Sequence, residues 1–422
     1  MLSKCWEEKI INRNFKRLLT GWVLSNIGSW LRTIAVIGFL YQQTGSAMAV
    51  GISFLVRFCP RVIMTFLSGA IIDKISKKTL LTYSNYLAFL LEMILFVCLV
   101  NGISNLTVFY ILIFLISVAD ALYQPARMAV IPEIIQDKED YGKATTYMRV
   151  SREMTMLFST GIGGLLIGLV GANTVFFIDA LSYLAAGLIQ QTIHLEKKEK
   201  VSNKVKNQIN ESVQQLIEGI KILSVDKSIQ IFTAIFSIRQ FTYGIANIAF
   251  TMIIYQKFKL GDVWLSWSYM AGGIGAIFGG MIVNRVIRDK LRDKNAAIKF
   301  VVLCNILNAF ALSSMFFAPN IWLFLIVVLL HDIAMMCTEV VLESSIIKFV
   351  DRSMAGRVSS LFLTSGEVTF FIGSVIYTFL ISGWDLNVLG VLFLTSMLGG
   401  TGVMYYFFKK NISTHKTVER RL

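Results

Sequence analysis

The sequence predicts an all-α polytopic membrane protein, with twelve transmembrane helices set out as two six-helix pseudo-symmetric bundles. Three observations predict it. Of 422 residues, 55% are hydrophobic and 16% charged, where soluble domains carry about 25% charged residues; the mean hydropathy is +0.65. Apolar runs long enough to cross a bilayer, roughly 20 residues each, recur from residue 15 to residue 408. Segments of the first half also return in the second at nearly constant spacing.

Helices follow because unpaired backbone is too costly in hydrocarbon for open strands. The apolar runs place them at 15–42, 46–72, 79–101, 105–130, 142–170, 173–192, 228–256, 262–286, 296–317, 320–350, 356–381 and 385–408. Four prolines in the whole chain leave such helices few interruptions. Several spans exceed the minimum, which predicts tilt or protrusion beyond the bilayer.

The loops alternate in charge. One side carries Lys4, Lys9, Arg13, Lys16 and Arg17, then Lys74, Lys77 and Lys78, then Lys138 and Lys143. The same side continues with HLEKKEKVSNKVK, RVIRDKLRDK, the group Lys348, Arg352 and Arg357, and the tail KKNISTHKTVERRL. The opposite side has only Lys257 and Lys259. An excess of lysine and arginine marks the cytoplasmic face, so both termini and the middle loop are expected in the cytoplasm, and the chain in a bacterial-type plasma membrane. The expected domains are an N-terminal bundle (1–192), a cytoplasmic linker (193–227), a C-terminal bundle (228–408) and a basic cytoplasmic tail (409–422). The linker segment INESVQQLIEGIKIL has apolar residues at helical spacing and reads as an interfacial amphipathic helix.

Composition and motifs also exclude. The net charge of +14 is spread over many short loops, which argues against nucleic-acid binding. The polar start MLSKCWEEKIINRNFKR predicts no cleaved signal peptide. Cys5, Cys59, Cys98, Cys304 and Cys337 form no close pair in sequence, and four lie in apolar runs, so they read as buried thiols rather than disulfides or metal ligands. There is no H-E-x-x-H and no serine nucleophile elbow, the signatures of a membrane enzyme, and no phosphate-binding G-x-x-x-x-G-K-[ST] loop.

The internal repeat is specific. GKATTYMRVSREMT at 142–155 matches GRVSSLFLTSGEVT at 356–369, aligning Gly142 with Gly356, Ser151 with Ser365, Glu153 with Glu367 and Thr155 with Thr369. GAIIDKI at 69–75 matches GMIVNRV at 280–286. These matches pair helix 5 with helix 11 and helix 2 with helix 8, as expected if six helices were duplicated in parallel. Parallel repeats around a central site are a transporter plan.

GAIIDKISKK after helix 2 resembles the cytoplasmic signature G-x-x-x-D-[RK]-x-x-[RK]-[RK] of the major facilitator superfamily, carried by Gly69, Asp73, Lys74, Lys77 and Lys78. The segments LRTIAVIGFLYQQTGSAMAVGISFLVRFCPRV, YQPARMAVIPEII and FFIDALSYL look like its macrolide-efflux and siderophore-exporter branch of drug:proton antiporters. The resemblance covers about residues 15–408 and implies two bundles that rock about a midplane site. It also implies that Asp73 acts as a latch, made in one conformation and broken in the other. An acid at a helix C-terminus is disfavoured by the dipole and wants a partner. In helix 5, STGIGG keeps Gly163 and Gly164 but has Thr160 where antiporters of this family carry proline.

Ionisable residues at membrane depth are costly and mark function. The cations are Arg32, Arg57, Arg61 and Arg239; the acids include Glu92, Asp120, Glu153, Asp179, Asp332 and Glu367, with His331 beside Asp332. Arg127, Arg149, Arg152, Glu339 and Glu343 lie nearer the cytoplasmic ends and read as solvated or paired. A buried carboxyl without a fixed cation can trade protons near neutrality. Glu153 and Glu367 are equivalent in the repeat, and Asp120 and Asp332 lie on helices 4 and 10, which line the cavity in the family. These four are the proton-coupling candidates. Gly275 and Gly279 in AGGIGAIFGG read as sites of close helix packing.

The expectation is a secondary transporter that exports an amphipathic or lipophilic small molecule, such as a macrolide-like drug, against proton influx. Its partners are the solute, protons and the lipid bilayer; it needs no cofactor or metal and works as a monomer. The alternatives are another cargo, a siderophore or lysophospholipid, or a non-transporting immunity or sensor protein.

Overall fold

The computed structural model describes residues 12–103, 105–135, 141–195, 227–287, 294–349 and 355–419. Its elements are α1 (Arg13–Thr44), α2 (Ala47–Lys74), α3 (Lys77–Val100) and α4 (Leu106–Ile134). One run, Tyr141–Gln191, is broken at Gly171, whose φ of 80° and ψ of 157° are non-helical, into α5 (141–170) and α6 (172–191). A Cβ is penalised at such a φ, so glycine sits at the turn between the two spans. Then come α7 (Lys227–Met252), α8 (Asp262–Ile282), α9 (Lys294–Phe317), α10 (Ile321–Phe349), α11 (Ala355–Ile376) and α12 (Leu386–Glu419). A five-residue π-turn extends each of α7, α8 and α11, at Ile253–Lys257, Val283–Ile287 and Tyr377–Ile381.

Local chemistry sets the ends. Asn12 caps α1 by accepting from the Phe15 amide, Ser76 caps α3 and Asn105 caps α4. Gly45 closes α1 in the left-handed conformation, its N–H bonded to the Tyr41 carbonyl at 2.8 Å. The sequence reading ends helix 12 at residue 408, but the helix runs on to Glu419. The segment KKNISTHKTVE holds no proline or glycine to stop it.

Nine stretches among the described residues are long and apolar enough to cross a bilayer, the broken run counting as one. α12 contributes a shorter apolar stretch, Leu386–Gly402. The way these helices bury their side chains also fits lipid. On α3 the inward face carries Asn85, Ala88, Glu92, Leu95 and Leu99, whereas Leu87, Leu90, Ile94 and Val97 are exposed. A polar interior with an apolar surface inverts the soluble pattern.

The chain forms two compact units. The first holds α1 to α6 with the stretch Gly261–Met270; the second holds α7 and the chain from Ala271 on. In the first, α1 packs on α5 and α6, α3 on α4 and α6, and α2 on α4. In the second, α7 packs on α11 and α12, and α9 on α10 and α12. Four of these five pairings recur six helices later, and the fifth is answered by the close approach of α8 to α10. The core of the first unit includes Phe15, Leu18, Trp22, Leu81, Tyr123 and Val130.

In the second unit α8 lies so close to α10 that a Cβ at Gly275 would strike the Leu329 carbonyl oxygen, and one at Gly279 the Ile333 carbonyl. Its core includes Phe236, Val301, Cys304, Cys337 and Phe362. Cys304 of α9 and Cys337 of α10 are free thiols and lie side by side, a pairing that their separation in sequence hides.

Candidate functional site

Arg32 stands in the middle of α1, 3% exposed, and gathers three acids from three other helices. Its Nη1 donates to Glu92 Oε1 on α3 at 2.6 Å and lies 3.4 Å from Asp179 Oδ2 on α6. Its Nη2 donates to Asp120 Oδ2 on α4 at 2.8 Å and to Tyr183 Oη on α6 at 3.1 Å. Tyr183 donates in turn to Asp120 Oδ1 at 2.6 Å, and Ser29 Oγ lies 2.9 Å from the same hydroxyl. Asp179 and Tyr183 are one helical turn apart, so α6 presents both on one face. The Glu92 and Asp179 side chains are fully buried, while that of Asp120 is 30% exposed. A Cβ at Gly28 would fall onto Asp179 and Ser182, so glycine here lets α6 bring its acid to Arg32.

Arg57 of α2 adjoins this cluster. Its Nη2 donates to Thr33 Oγ1 at 2.6 Å, and its charge is felt against those of Arg32, Arg61 and Asp120. Two guanidiniums therefore stand among three carboxyls, which leaves one negative charge to balance. Arg61 is exposed and stacks over Phe58 at 5.2 Å.

Tyr183→Phe removes the hydroxyl that links Asp120 to Arg32. Hydrogen bonds to charged groups contribute about 1.5–3 kcal/mol, so thermal unfolding of the purified variant is expected to show a loss in that range. Unchanged unfolding would mean the hydroxyl does not hold the cluster.

The second unit has its own buried arginine. Arg239 of α7 is fully buried; it donates to Glu339 Oε2 on α10 and to the Met335 carbonyl, both at 3.2 Å. Its guanidinium lies over the rings of Phe236 and Tyr243, at 5.4 and 5.5 Å. Tyr243 donates to Asn308 Oδ1 of α9 at 2.9 Å, and Asn308 Nδ2 donates to the His331 carbonyl at 3.1 Å. His331 Nδ1 is 3.4 Å from Asp332 Oδ2, and the His331 ring sits edge-on to Tyr243 at 5.6 Å. Both units thus tie their first helix to their fourth through a buried arginine and a carboxylate.

The sequence candidates separate in space. Arg32 and Asp120 meet in the first cluster; Arg239, Asp332 and Glu339 share the second. Glu339, read from sequence as solvated or paired near a helix end, is paired: it is the partner of Arg239. Glu153 is 28% exposed and lies 3.4 Å from Arg152 Nε. Glu367 is partly buried on α11. Lys77 binds Glu133 at 2.7 Å and Lys78 is partly buried. Gly69, Asp73 and Lys74 lie on the last turns of α2, but their side chains fall outside the described residues, as does the segment 196–226 with the expected amphipathic helix. Thr160, in the proline position, is buried and bonds back to the Met156 carbonyl at 2.7 Å.

The two glycines after it differ. A Cβ at Gly163 would make ordinary contact with Ile34 and Leu31; one at Gly164 would strike the Asp262 carbonyl. The Gly164 amide donates to Ser266 Oγ at 2.6 Å. Glu92, Asp179 and Tyr183 are the cluster members not singled out as candidates. The signal of the last two is present in FFIDALSYL, where Asp179 and Tyr183 are four apart in an apolar run.

An all-helical chain with an apolar surface, two units of matching helix pairings and arginine–carboxylate clusters at membrane depth has the architecture of a major facilitator protein. Residues 9–409 match the family model described as transmembrane secretion effector, and the chain belongs to that family. Macrolide efflux protein A of Streptococcus pyogenes is 22% identical over 279 residues, covering 64% of this chain and 66% of that protein. The match therefore spans slightly under two thirds of that relative's length. The staphyloferrin A transporter of Staphylococcus aureus is 26% identical over 172 residues, 40% of this chain and 43% of that one. Among solved structures, a bacterial homologue of the iron transporter ferroportin in an inward-facing state shares the fold. Its TM-score is 0.70 at 12% identity, over 94% of this chain and 98% of that one.

Proposed function

We propose that the chain is a secondary active transporter that exports amphipathic or lipophilic small molecules, macrolide-like drugs among them, by alternating access coupled to proton influx. The cluster around Arg32 is the observation that carries this reading. Three carboxyls face two guanidiniums, and a leftover charge at membrane depth is expensive. One proton held among Glu92, Asp120 and Asp179 balances it. Asp120 is the member that solvent reaches, so protons enter and leave there. Glu92 and Asp179 share the charge within, extending the coupling role beyond the acid candidates of the sequence. A shift of Arg32 between two arrangements changes how many carboxyls it touches, and hence how many protons the cluster holds. The orientation follows the loop charges, with both termini cytoplasmic, and Asp73 serves as the latch.

Family membership and the relatives named for macrolide efflux and staphyloferrin transport support a small-molecule cargo. The test is substrate flux in proteoliposomes, with and without an imposed pH gradient. Glu92→Gln, Asp179→Asn and Asp120→Asn are each expected to cut pH-driven flux at least tenfold while downhill exchange persists. Flux that stays pH-driven in all three variants would remove the cluster from the coupling. Failure of the wild-type chain to move any solute would remove the transporter reading itself and favour a sensor.

A further inference from the structure

The second unit holds a carboxylate whose only ion-pair neighbour, among the described residues, is a histidine. Arg239 is taken by Glu339 at 3.2 Å, while Asp332 has only His331 within ion-pair distance, at 3.4 Å. The Asp332 side chain is 19% exposed, so it is not sealed from its surroundings as Arg239 is. His331 is 7% exposed, yet neither of its ring nitrogens has a hydrogen-bond partner among the described residues. A buried imidazole with both nitrogens unmatched is costly unless something else supplies the bond.

The neighbourhood is shaped around the pair. A Cβ at Gly272 of α8 would stand 2.7 Å from Asp332 Oδ2, so the glycine lets α8 pack against one side of the carboxylate and leaves its approach to the other. α7 supplies the Tyr243 ring, which faces His331 and is already used by Arg239 as a cation platform. α9 supplies Asn308, which fixes Tyr243 and the His331 carbonyl. Arg239 and Glu339 are the other charged groups that act on Tyr243 among the described residues, and they neutralise one another.

We propose that Asp332, His331 and Tyr243 form a docking site for the positively charged head of an amphipathic organic cation, an ammonium above all. The carboxylate takes the charge and the tyrosine ring its exposed face. A ring nitrogen of His331 accepts a hydrogen bond from the head or from a hydroxyl beside it. The assignment rests on the transporter reading and narrows its cargo to monovalent cations. It also fits the exchange: a cation moved outward against a proton moved inward leaves the net charge transfer unchanged.

The test uses the full chain in lipid nanodiscs with two fluorescent probes: rhodamine 6G, a lipophilic cation, and carboxyfluorescein, an anion of similar size. Anisotropy is expected to show that rhodamine 6G binds and carboxyfluorescein does not. A charge-assisted contact removed from such a site weakens binding about tenfold to a hundredfold. Asp332→Asn is expected to do so, and Asp332→Glu to retain part of the affinity. His331→Phe, which keeps the ring and deletes both nitrogens, is expected to weaken binding severalfold. Unfolding temperatures of each variant separate lost binding from lost fold. Equal affinity in wild type and Asp332→Asn, preference for the anion, or no binding of rhodamine 6G by the wild type would each overturn the proposal. None of these outcomes touches pH-driven flux through the first cluster, which tests the transporter reading separately.

Discussion

Arg32→Met is expected to destabilise the protein by about 3–5 kcal/mol, the cost of removing one partner from a buried ion pair. The side chain is similar in length and apolar, so little volume is lost and the effect is electrostatic. Glu92 and Asp179 would remain buried without their cation, and Asp120 would keep the Tyr183 hydroxyl and the charge of neighbouring Arg57. Thermal unfolding in detergent, followed by tryptophan fluorescence, measures the loss. A second variant sharpens it. Adding Glu92→Gln to Arg32→Met removes one orphaned charge and is expected to restore a substantial part of the stability, since coupled neighbours do not add. If the single variant unfolds like the wild type, or the double variant is worse by the plain sum of both changes, the three carboxyls are not organised by Arg32. Pairing of this kind often adds little net stability compared with an apolar core, so its presence at membrane depth points to a working role.

Much of the architecture was legible because lipid enforces simple rules. Backbone must satisfy itself, so apolar runs become helices, and the twelve runs correspond to helical segments of the fold. The break between helices 5 and 6 was readable from VGAN, and it falls on Gly171. The repeat marked by Glu153 and Glu367 announced matching halves, and the helix pairings match. What the sequence could not yield was partnership across helices. Arg32 lies 60 residues from Glu92 and 147 from Asp179, and no local pattern says that all three point to one spot. The same limit applies to Cys304 and Cys337, and to Glu339, whose place near a helix end concealed its reach to Arg239. Repeat equivalence does not fix surroundings: Glu153 and Glu367 align in sequence, yet Glu153 is 28% exposed and beside Arg152 whereas Glu339, which has no such match, holds the buried Arg239. Rotation about the helix axis decides such contacts, and a few degrees of it are invisible in hydropathy.

Gly244→Ile is expected to cost about 3 kcal/mol or more and to disrupt the second unit. A Cβ at Gly244 would collide with the backbone carbonyl of Phe370 on α11, and one at Gly373 with that of Phe241 on α7. The two helices therefore cross glycine against glycine, and Ser374 Oγ seals the crossing by donating to the Gly244 carbonyl at 3.0 Å. Overpacking a core typically costs about 1–3 kcal/mol; here the obstacle is main chain on both sides, which cannot rotate away as a side chain does. The contrast is Gly399→Ile on α12, where nothing lies within 4 Å of the added Cβ. That variant is expected to stay within about 0.5 kcal/mol of wild type. Thiol labelling reads both: with Cys5, Cys59 and Cys98 replaced by serine, Cys304 and Cys337 stay protected until the second unit opens. Gly244→Ile should bring that labelling on at a markedly lower temperature, and Gly399→Ile should not. Equal labelling in the two variants would mean that α7 and α11 have room to part. The tight crossing, and with it the fixed distance of Arg239 and Tyr243 from α10, would then be lost as a premise for the cation site.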